Sequence, residues 1–176
     1  MEHTNVQFVC QDATYLNFEN QFDAVFSNAT LHWILEPRLL VKRVYASLKS
    51  GGRFVTEFGG KGNIKTIQNA ISITLNNHNL PIPKIWYFPS ISEYTTILEA
   101  AGFTVTYARL YDRDTKLEGA NGMYNWLKMF GFLFLNNNEM LINECVANLQ
   151  SNLRNGEWYA DYKRLQIVAY KDPLDK

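Results

Sequence analysis

The sequence is short of most features that identify a protein quickly. Only two of its 176 residues are cysteine, Cys10 and Cys145. They form no metal-binding or redox spacing and no disulfide framework, which makes a reduced, cytoplasmic setting the expectation. Charge of neither sign dominates, with 17 Lys+Arg against 17 Asp+Glu and no run of five basic residues. That argues against nucleic acid or an anionic membrane as a partner. No apolar run approaches the ~20 residues of a membrane span. The opening residues, Met1 to Phe8, lack the basic and apolar regions of a signal peptide. The three histidines, His3, His32 and His78, are scattered, so no metal site is expected. No P-loop, Gly-x-Ser-x-Gly or Cys–His pattern occurs. What is abundant is apolar and aromatic material, 47% and 14% of the chain, enough for a packed core and incompatible with disorder.

Short β-branched and aromatic runs at Val6–Cys10 and Phe22–Phe26 read as buried strands. Pro37 opens a helix whose Leu40, Val44 and Leu48 share a face, and Gly51-Gly52 is expected to stop it. Arg53–Phe58 reads as a strand. Ile64, Ile67, Ile71 and Leu75 give a second amphipathic helix, and Pro81–Trp86 must be extended. Ser90 with Glu93 is a capping box for a helix carrying Ile97, Leu98 and Ala101, ended by Gly102. Phe103–Leu110 and Arg164–Lys171 are further strands. Between them lie helical stretches at Met123–Phe130 and Asn138–Leu153, with Asn136–Asn138 as a turn and N-cap. Alternating strands and helices predict an α/β fold with a largely parallel sheet covered on both faces, its final pair open to an antiparallel arrangement.

Four segments resemble the second half of a class I S-adenosylmethionine-dependent methyltransferase. They are Gln11-Asp12-Ala13, Phe22 to Trp33 (FDAVFSNATLHW), Leu48 to Val55 (LKSGGRFV) and Leu98 to Val105 (LEAAGFTV). Each is weak alone; in this order and spacing, over residues 5–112, the match is specific. Gly122-Met-Tyr-Asn125-Trp126, Phe130 and the closing RLQIVAYK are similar to the trans-aconitate methyltransferase subgroup. The resemblance implies a Rossmann-like sheet of order 3-2-1-4-5-7-6, of which this sequence carries the family's strands 3 to 7. Residues 5–115 would form the sheet core, 116–163 a helical insert or cap, and 164–171 the last strand, all in a single partial domain spanning 1–176.

The resemblance also implies S-adenosylmethionine as cofactor and a small molecule, with a carboxylic acid as one candidate, as methyl acceptor. Asp12 and the Ala13 N–H would meet the adenine edge, as acceptor and donor; Asp12 as the cap of the following turn is the competing reading. Asn28 and Ala29 would shape the wall at the methionine end, although Asn28 also suits a strand-ending turn. His32 is a candidate general base, which a carboxylate acceptor does not need, and a lone His beside Trp is more often a hydrogen-bonded packing residue. Trp33, Trp86 and Trp126 are candidates for an apolar substrate wall or for core. Arg109, with Arg113, could clamp a carboxylate or serve in surface ion pairs.

The family's glycine-rich loop after its first strand and the acidic residue after its second have no counterpart here. Gly59-Gly-Lys-Gly62 has neither the place nor the spacing. The expectations are an N-terminally incomplete sheet, a chain that binds S-adenosylmethionine weakly or not at all, and an exposed edge at Phe22–Phe26 that favours a homo-oligomer. The competing class is a non-catalytic interaction module, or half of a split protein, that self-associates through this edge.

Overall fold

In the computed structural model, which describes residues 5–172, the chain begins with a 3-10 turn, Ala13–Tyr15. Then come β1 (Phe22–Asn28), a 3-10 turn (Leu31–Trp33), α1 (Pro37–Ser47), β2 (Leu48–Gly59), α2 (Lys65–Asn77), α3 (Ile91–Ala100) and β3 (Phe103–Asp112). After β3 follow β4 (Thr115–Lys116), α4 (Gly122–Phe130), α5 (Phe132–Leu135), α6 (Glu139–Ala147), a 3-10 turn (Gln150–Asn152), β5 (Leu153–Arg154), β6 (Glu157–Ala160) and β7 (Lys163–Lys171). His3 and the first four residues of the segment tested for a signal peptide lie outside the described residues.

The main sheet has the order β1-β2-β7-β3, with β1 parallel to β2 and β7 antiparallel to both its neighbours. This is the 4-5-7-6 portion of the order implied by the resemblance. Pro37 occupies the first turn of α1, where its missing N–H costs nothing. The capping box forms as expected: Glu93 N–H donates to Ser90 Oγ at 3.2 Å and Ser90 N–H to Glu93 Oε2 at 2.6 Å. Asn138 caps α6, its Oδ1 accepting from Met140 and Leu141 N–H.

Four expectations need correction. Val6–Cys10 forms no strand; Phe8 is 94% exposed, and no neighbour among the described residues supplies the hydrogen-bond ladder a strand requires. The family's strands 4 to 7 are therefore present as strands and its strand 3 is not. Gly51-Gly52 does not stop α1, which ends at Ser47; the glycines lie inside β2. Gly51 takes φ +75° there, and a Cβ on Gly52 would stand 2.8 Å from the Lys49 carbonyl, so the bend needs glycine. The helix expected over Asn138–Leu153 is only Glu139–Ala147, and an unforeseen small sheet, β4-β6-β5, uses the residues around it.

The fourth correction concerns the faces of the main sheet. One face is packed: Phe54 and Phe58 of β2 and Leu165, Ile167 and Ala169 of β7 meet Leu40, Val41 and Val44 of α1 and Tyr94 and Leu98 of α3. α2 does not cover the opposite face. Its buried stripe of Ile67, Ile71 and Leu75 packs with Met123 and Leu127 of α4 and Leu141, Ile142 and Cys145 of α6 in a second cluster. The opposite sheet face is open among the described residues, and the register lines its side chains in rows. Phe26–Val55–Val168–Tyr107 makes an apolar row across all four strands, and Asn28–Glu57–Gln166–Arg109 a polar one.

Candidate functional site

In sheets of this kind ligands gather beyond the carboxyl ends of parallel strands, where the connecting loops leave a crevice. β1 reaches that end at Asn28, and the next residue, Ala29, turns with φ +54°. Positive φ at a residue with a Cβ is uncommon and often marks a functional turn. Ala29 N–H still donates to Glu57 O at 2.8 Å, and Thr30 Oγ1 donates to Asn28 O at 3.0 Å, so the reversal is held from both sides. The chain then enters the 3-10 turn that carries His32 and Trp33.

His32 is buried, 8% exposed, and doubly tethered. Its carbonyl accepts from Tyr87 N–H at 2.8 Å, and its Nδ1 accepts from Gly59 N–H at 3.3 Å. The second bond leaves the ring hydrogen on Nε2, making this side chain a donor toward the site. Burial, helped by the neighbouring Arg164 guanidinium, pushes its pKa down to about 4, so the ring is neutral at pH 7. With Nδ1 occupied and Nε2 protonated, His32 has no free lone pair with which to act as a base.

Beyond Trp33 the walls are aromatic. Trp33 stacks near Phe130 (ring centroids 6.2 Å apart, interplanar angle 28°), and Trp86 near Phe88 (6.0 Å, 17°). Trp126 lies 5.0 Å from Phe130 and donates its indole N–H to Tyr162 Oη at 2.6 Å. Ala29, His32, Trp33, Trp86 and Trp126 thus converge on one cavity of about 100 Å³, with Phe88, Phe130, Asn63, Ile64, Tyr162 and Arg164. Gly59 gives this wall room, because a Cβ there would lie 2.6 Å from Phe88 and 2.7 Å from Asn63 Nδ2.

The remaining expected residues lie elsewhere. Asn28 faces a second concavity on the open sheet face, with Phe26, Glu57, Tyr111, Arg113 and Gln166. Arg109 is exposed on that face, its guanidinium 4.7 Å over the Tyr111 ring, and does not line the aromatic cavity. Arg113 is committed to Glu57 at 3.0 Å. A carboxylate clamp built from Arg109 and Arg113 is therefore not assembled at Trp33 and Trp126. Asp12 caps its 3-10 turn: Oδ1 accepts from Thr14 N–H and Oγ1, both at 2.8 Å, and these bonds, the backbone one first, hold its carboxyl below the usual range. Neither Asp12 nor Ala13 lines the aromatic cavity. Its second carboxylate oxygen and the Ala13 N–H, which as the first donor of the turn has no partner within it, still fit the acceptor and donor of an adenine edge.

Sequence reasoning passed over Asn63, Phe88, Tyr162 and Arg164. Asn63 is buried and its Oδ1 accepts from Lys163 N–H at 2.8 Å, a link spanning a hundred residues. Arg164 was visible only as the polar start of a strand, and its alternation with Leu165 and Ile167 placed it on a face without saying what lay opposite. A larger groove of about 740 Å³, between the start of α1 and α3, contains none of the residues expected to bind cofactor or substrate.

A family model described as a methyltransferase domain matches residues 1–56. An uncharacterized methyltransferase of Schizosaccharomyces pombe is 36% identical over 176 residues, covering 92% of this chain and 66% of that protein. A malonyl-[acyl-carrier protein] O-methyltransferase of Calditerrivibrio nitroreducens is 32% identical over 69 residues, 39% of this chain and 28% of its own length. The chain thus spans less than two thirds of the curated relatives it matches. Among solved structures, the YcgJ protein of Bacillus subtilis superposes with TM-score 0.65 at 16% identity, covering 97% of this chain and 73% of its own. A loganic acid methyltransferase solved with SAH gives TM-score 0.61 at 12% identity, covering 91% and 64%. At such identities the structural likeness speaks for the fold alone. By family model, curated relatives and fold together, this chain is similar to class I S-adenosylmethionine-dependent methyltransferases.

Proposed function

We propose that this chain takes part in methyl transfer from S-adenosylmethionine to an oxygen of a small molecule, a carboxylic acid by preference, as the trans-aconitate methyltransferase resemblance implies. The observation that carries the reading is the convergence of Ala29, His32, Trp33 and Trp126 on one aromatic cavity beyond the parallel strands. The malonyl-[acyl-carrier protein] O-methyltransferases among the relatives support an oxygen acceptor. When bound, S-adenosylmethionine supplies a methyl group made electrophilic by its sulfonium. Asp12 and Ala13 would hold the adenine edge, and Asn28 and Ala29 would form the wall beside the methionine end. Trp33 and Trp126 would exclude water and orient the acceptor, which is most of what an in-line displacement asks of a protein. A carboxylate acceptor has no proton to lose, so a neutral, donor-only His32 is compatible with the reaction.

The described residues offer anchors for adenine and for the methionine end, and none for the ribose hydroxyls. We therefore expect the 176-residue chain to hold the cofactor weakly. Titrating S-adenosylhomocysteine into ¹⁵N-labelled protein detects weak contacts. Shifts confined to the amides of Ala13, Asn28, Ala29 and their neighbours, with affinity weaker than micromolar, are the expected outcome. No shift at any of these amides defeats the reading, and micromolar calorimetric binding defeats the weakness.

A second reading is favoured by the open face. β1 is an edge strand, and Phe26, 72% exposed, begins an apolar row across the sheet. Unpaired edges with apolar neighbours invite another chain. Self-association through Phe22–Asn28 would make the chain an interaction module with or without catalysis. Light scattering at working concentration should show particles larger than 20.4 kDa, and a clean monomer counts against it.

A further inference from the structure

The aromatic cavity contains one cation, and that cation is unspent. Arg164 is the only Lys or Arg lining it. Among the described residues it makes no ion pair, and its Nε, fully buried, has no hydrogen-bond partner. The nearby carboxylate that could have neutralised it, Glu57, is engaged by Tyr111 Oη at 2.8 Å, Arg113 at 3.0 Å and Gln166 Nε2 at 3.2 Å. The guanidinium lies 4.7 Å over the Tyr162 ring, an aromatic contact that uses its face and not the N–H donors in its own plane. A half-buried guanidinium without an anion is costly, so its retention points to an anion that arrives from outside.

Its placement is rigid. Just before Arg164 the chain is tied to the loop after β2 by three bonds. Ile64 N–H donates to Asp161 O at 2.9 Å, Gly60 N–H to Lys163 O at 3.0 Å, and Lys163 N–H to Asn63 Oδ1 at 2.8 Å. His32 lines the same cavity, and with Nδ1 accepting from Gly59 its ring hydrogen sits on Nε2, which brings a further donor to the wall.

We propose that this cavity is the acceptor subsite for a small, flat monocarboxylate, with Arg164 as the residue that binds the carboxylate and selects it over neutral molecules, and His32 as its second donor. The inference rests on the methyl-transfer reading and names the acceptor class within it. One unpaired cation sets one negative charge. Near-parallel ring pairs set a flat body. The cavity is open to solvent and its volume of about 100 Å³ is less than the ~150 Å³ that takes up benzene, so it sets a body of at most one ring, with the carboxylate seated inside and the far edge of the ring at the mouth. In the transfer, a carboxylate oxygen forms the new O–CH3 bond as the S–CH3 bond breaks. The bonding pair goes to sulfur, and no proton moves. The ester product is neutral, so the interaction that held the substrate is lost on turnover and release is favoured. His32 stays neutral well below pH 7, so it donates a hydrogen bond without adding a second charge.

Three of the chain's four tryptophans, Trp33, Trp86 and Trp126, line the cavity, so intrinsic fluorescence reads binding without any methyl donor. The probes are benzoate and its neutral isostere benzamide, titrated into the 176-residue chain. Benzoate should bind about tenfold or more tighter than benzamide, the size of a charge-assisted contact. Arg164→Met should bring the two within about twofold by weakening benzoate alone, and Arg164→Lys should restore part of the preference. Arg43→Met, on the exposed side of α1, should leave both affinities unchanged. Equal binding of the two probes by the parent chain, binding of neither at about 10 mM, or a preference that survives Arg164→Met overturns the proposal. Should Arg164→Met fail to fold by circular dichroism, the parent ratio and the Arg164→Lys variant decide. Loss of the S-adenosylhomocysteine shifts with the benzoate preference intact would remove methyl transfer and leave the anion subsite standing, and the converse separates them equally.

Discussion

The two faces of the main sheet are built from the same strands and obey different rules. On the packed face, Phe54, Phe58, Leu165, Ile167 and Ala169 are sealed under α1 and α3. On the open face the same strands present Phe26, Val55, Tyr107 and Val168 beside Asn28, Glu57, Gln166 and Arg109. The polar groups follow suit in an unexpected direction. On the open face Tyr111, Arg113 and Gln166 all donate hydrogen bonds to the Glu57 carboxylate. On the packed side, the Thr56 and Tyr94 hydroxyls are buried without any partner. The packed face is where apolar contact does the stabilising and tolerates polar defects. The open face is where chemistry is displayed.

The largest effect should separate the faces by stability. Phe58 is fully buried, its ring centroid 4.8 Å from that of Tyr94, so Phe58→Ala is expected to cost about 3–5 kcal/mol in urea unfolding. Phe26→Ala, on the open face of β1, should stay within about 0.5 kcal/mol. Comparable losses at the two positions would show that something covers the open face in solution.

His32 sits where the two faces meet the carboxyl-end loops, and its effect should be intermediate and dependent on pH. The unfolded chain takes up its proton near 6.5, and the native ring, desolvated and beside Arg164, takes it up only near 4. The contribution is therefore whole above pH 6.5 and is lost as pH falls through 6.5 toward 4, by roughly 3 kcal/mol. His32→Gln, whose amide oxygen can still accept from Gly59 N–H, should flatten that acid limb by about this amount. Parallel stability profiles for parent and variant between pH 7 and 4 would refute the assignment.

The same division explains what could be read from the sequence. Local rules place β1, α1, the Ser90–Glu93 capping box and the RLQIVAYK strand, because apolar spacing, Pro37 and the caps act over a few residues. They misplace Val6–Cys10, whose β-branched run satisfies propensity without a partner strand, and they overextend α6 into residues that pair as β5. The packed face follows from alternation alone. The aromatic cavity was half legible: Ala29, His32, Trp33, Trp86 and Trp126 stood out as residue types. Arg164 did not, since its meaning depends on Asn63 holding Lys163 a hundred residues away and on Glu57 being claimed by Arg113. Arg109 looked equivalent in the sequence and differs only in what surrounds it.

The smallest expected effect sharpens the comparison through the sign of one atom's removal. Deleting the buried, unpartnered hydroxyl by Tyr94→Phe, or replacing the one on β2 by Thr56→Val, removes a desolvated group that makes no bond. Either should raise stability by about 1 kcal/mol. Burial also raises the Tyr94 phenol pKa, so no ionised form offsets the gain at pH 7. Tyr111→Phe deletes a similar hydroxyl from the open face, but that one donates to Glu57 at 2.8 Å. Its loss should lower stability by about 0.5–1.5 kcal/mol and loosen the Glu57 cluster. Opposite signs on the two faces, measured by the midpoint of urea unfolding at constant slope, are the expected result. Equal signs would mean that the packed hydroxyls are satisfied in solution, by a water held between α3 and the sheet, and that the two faces differ in covering alone.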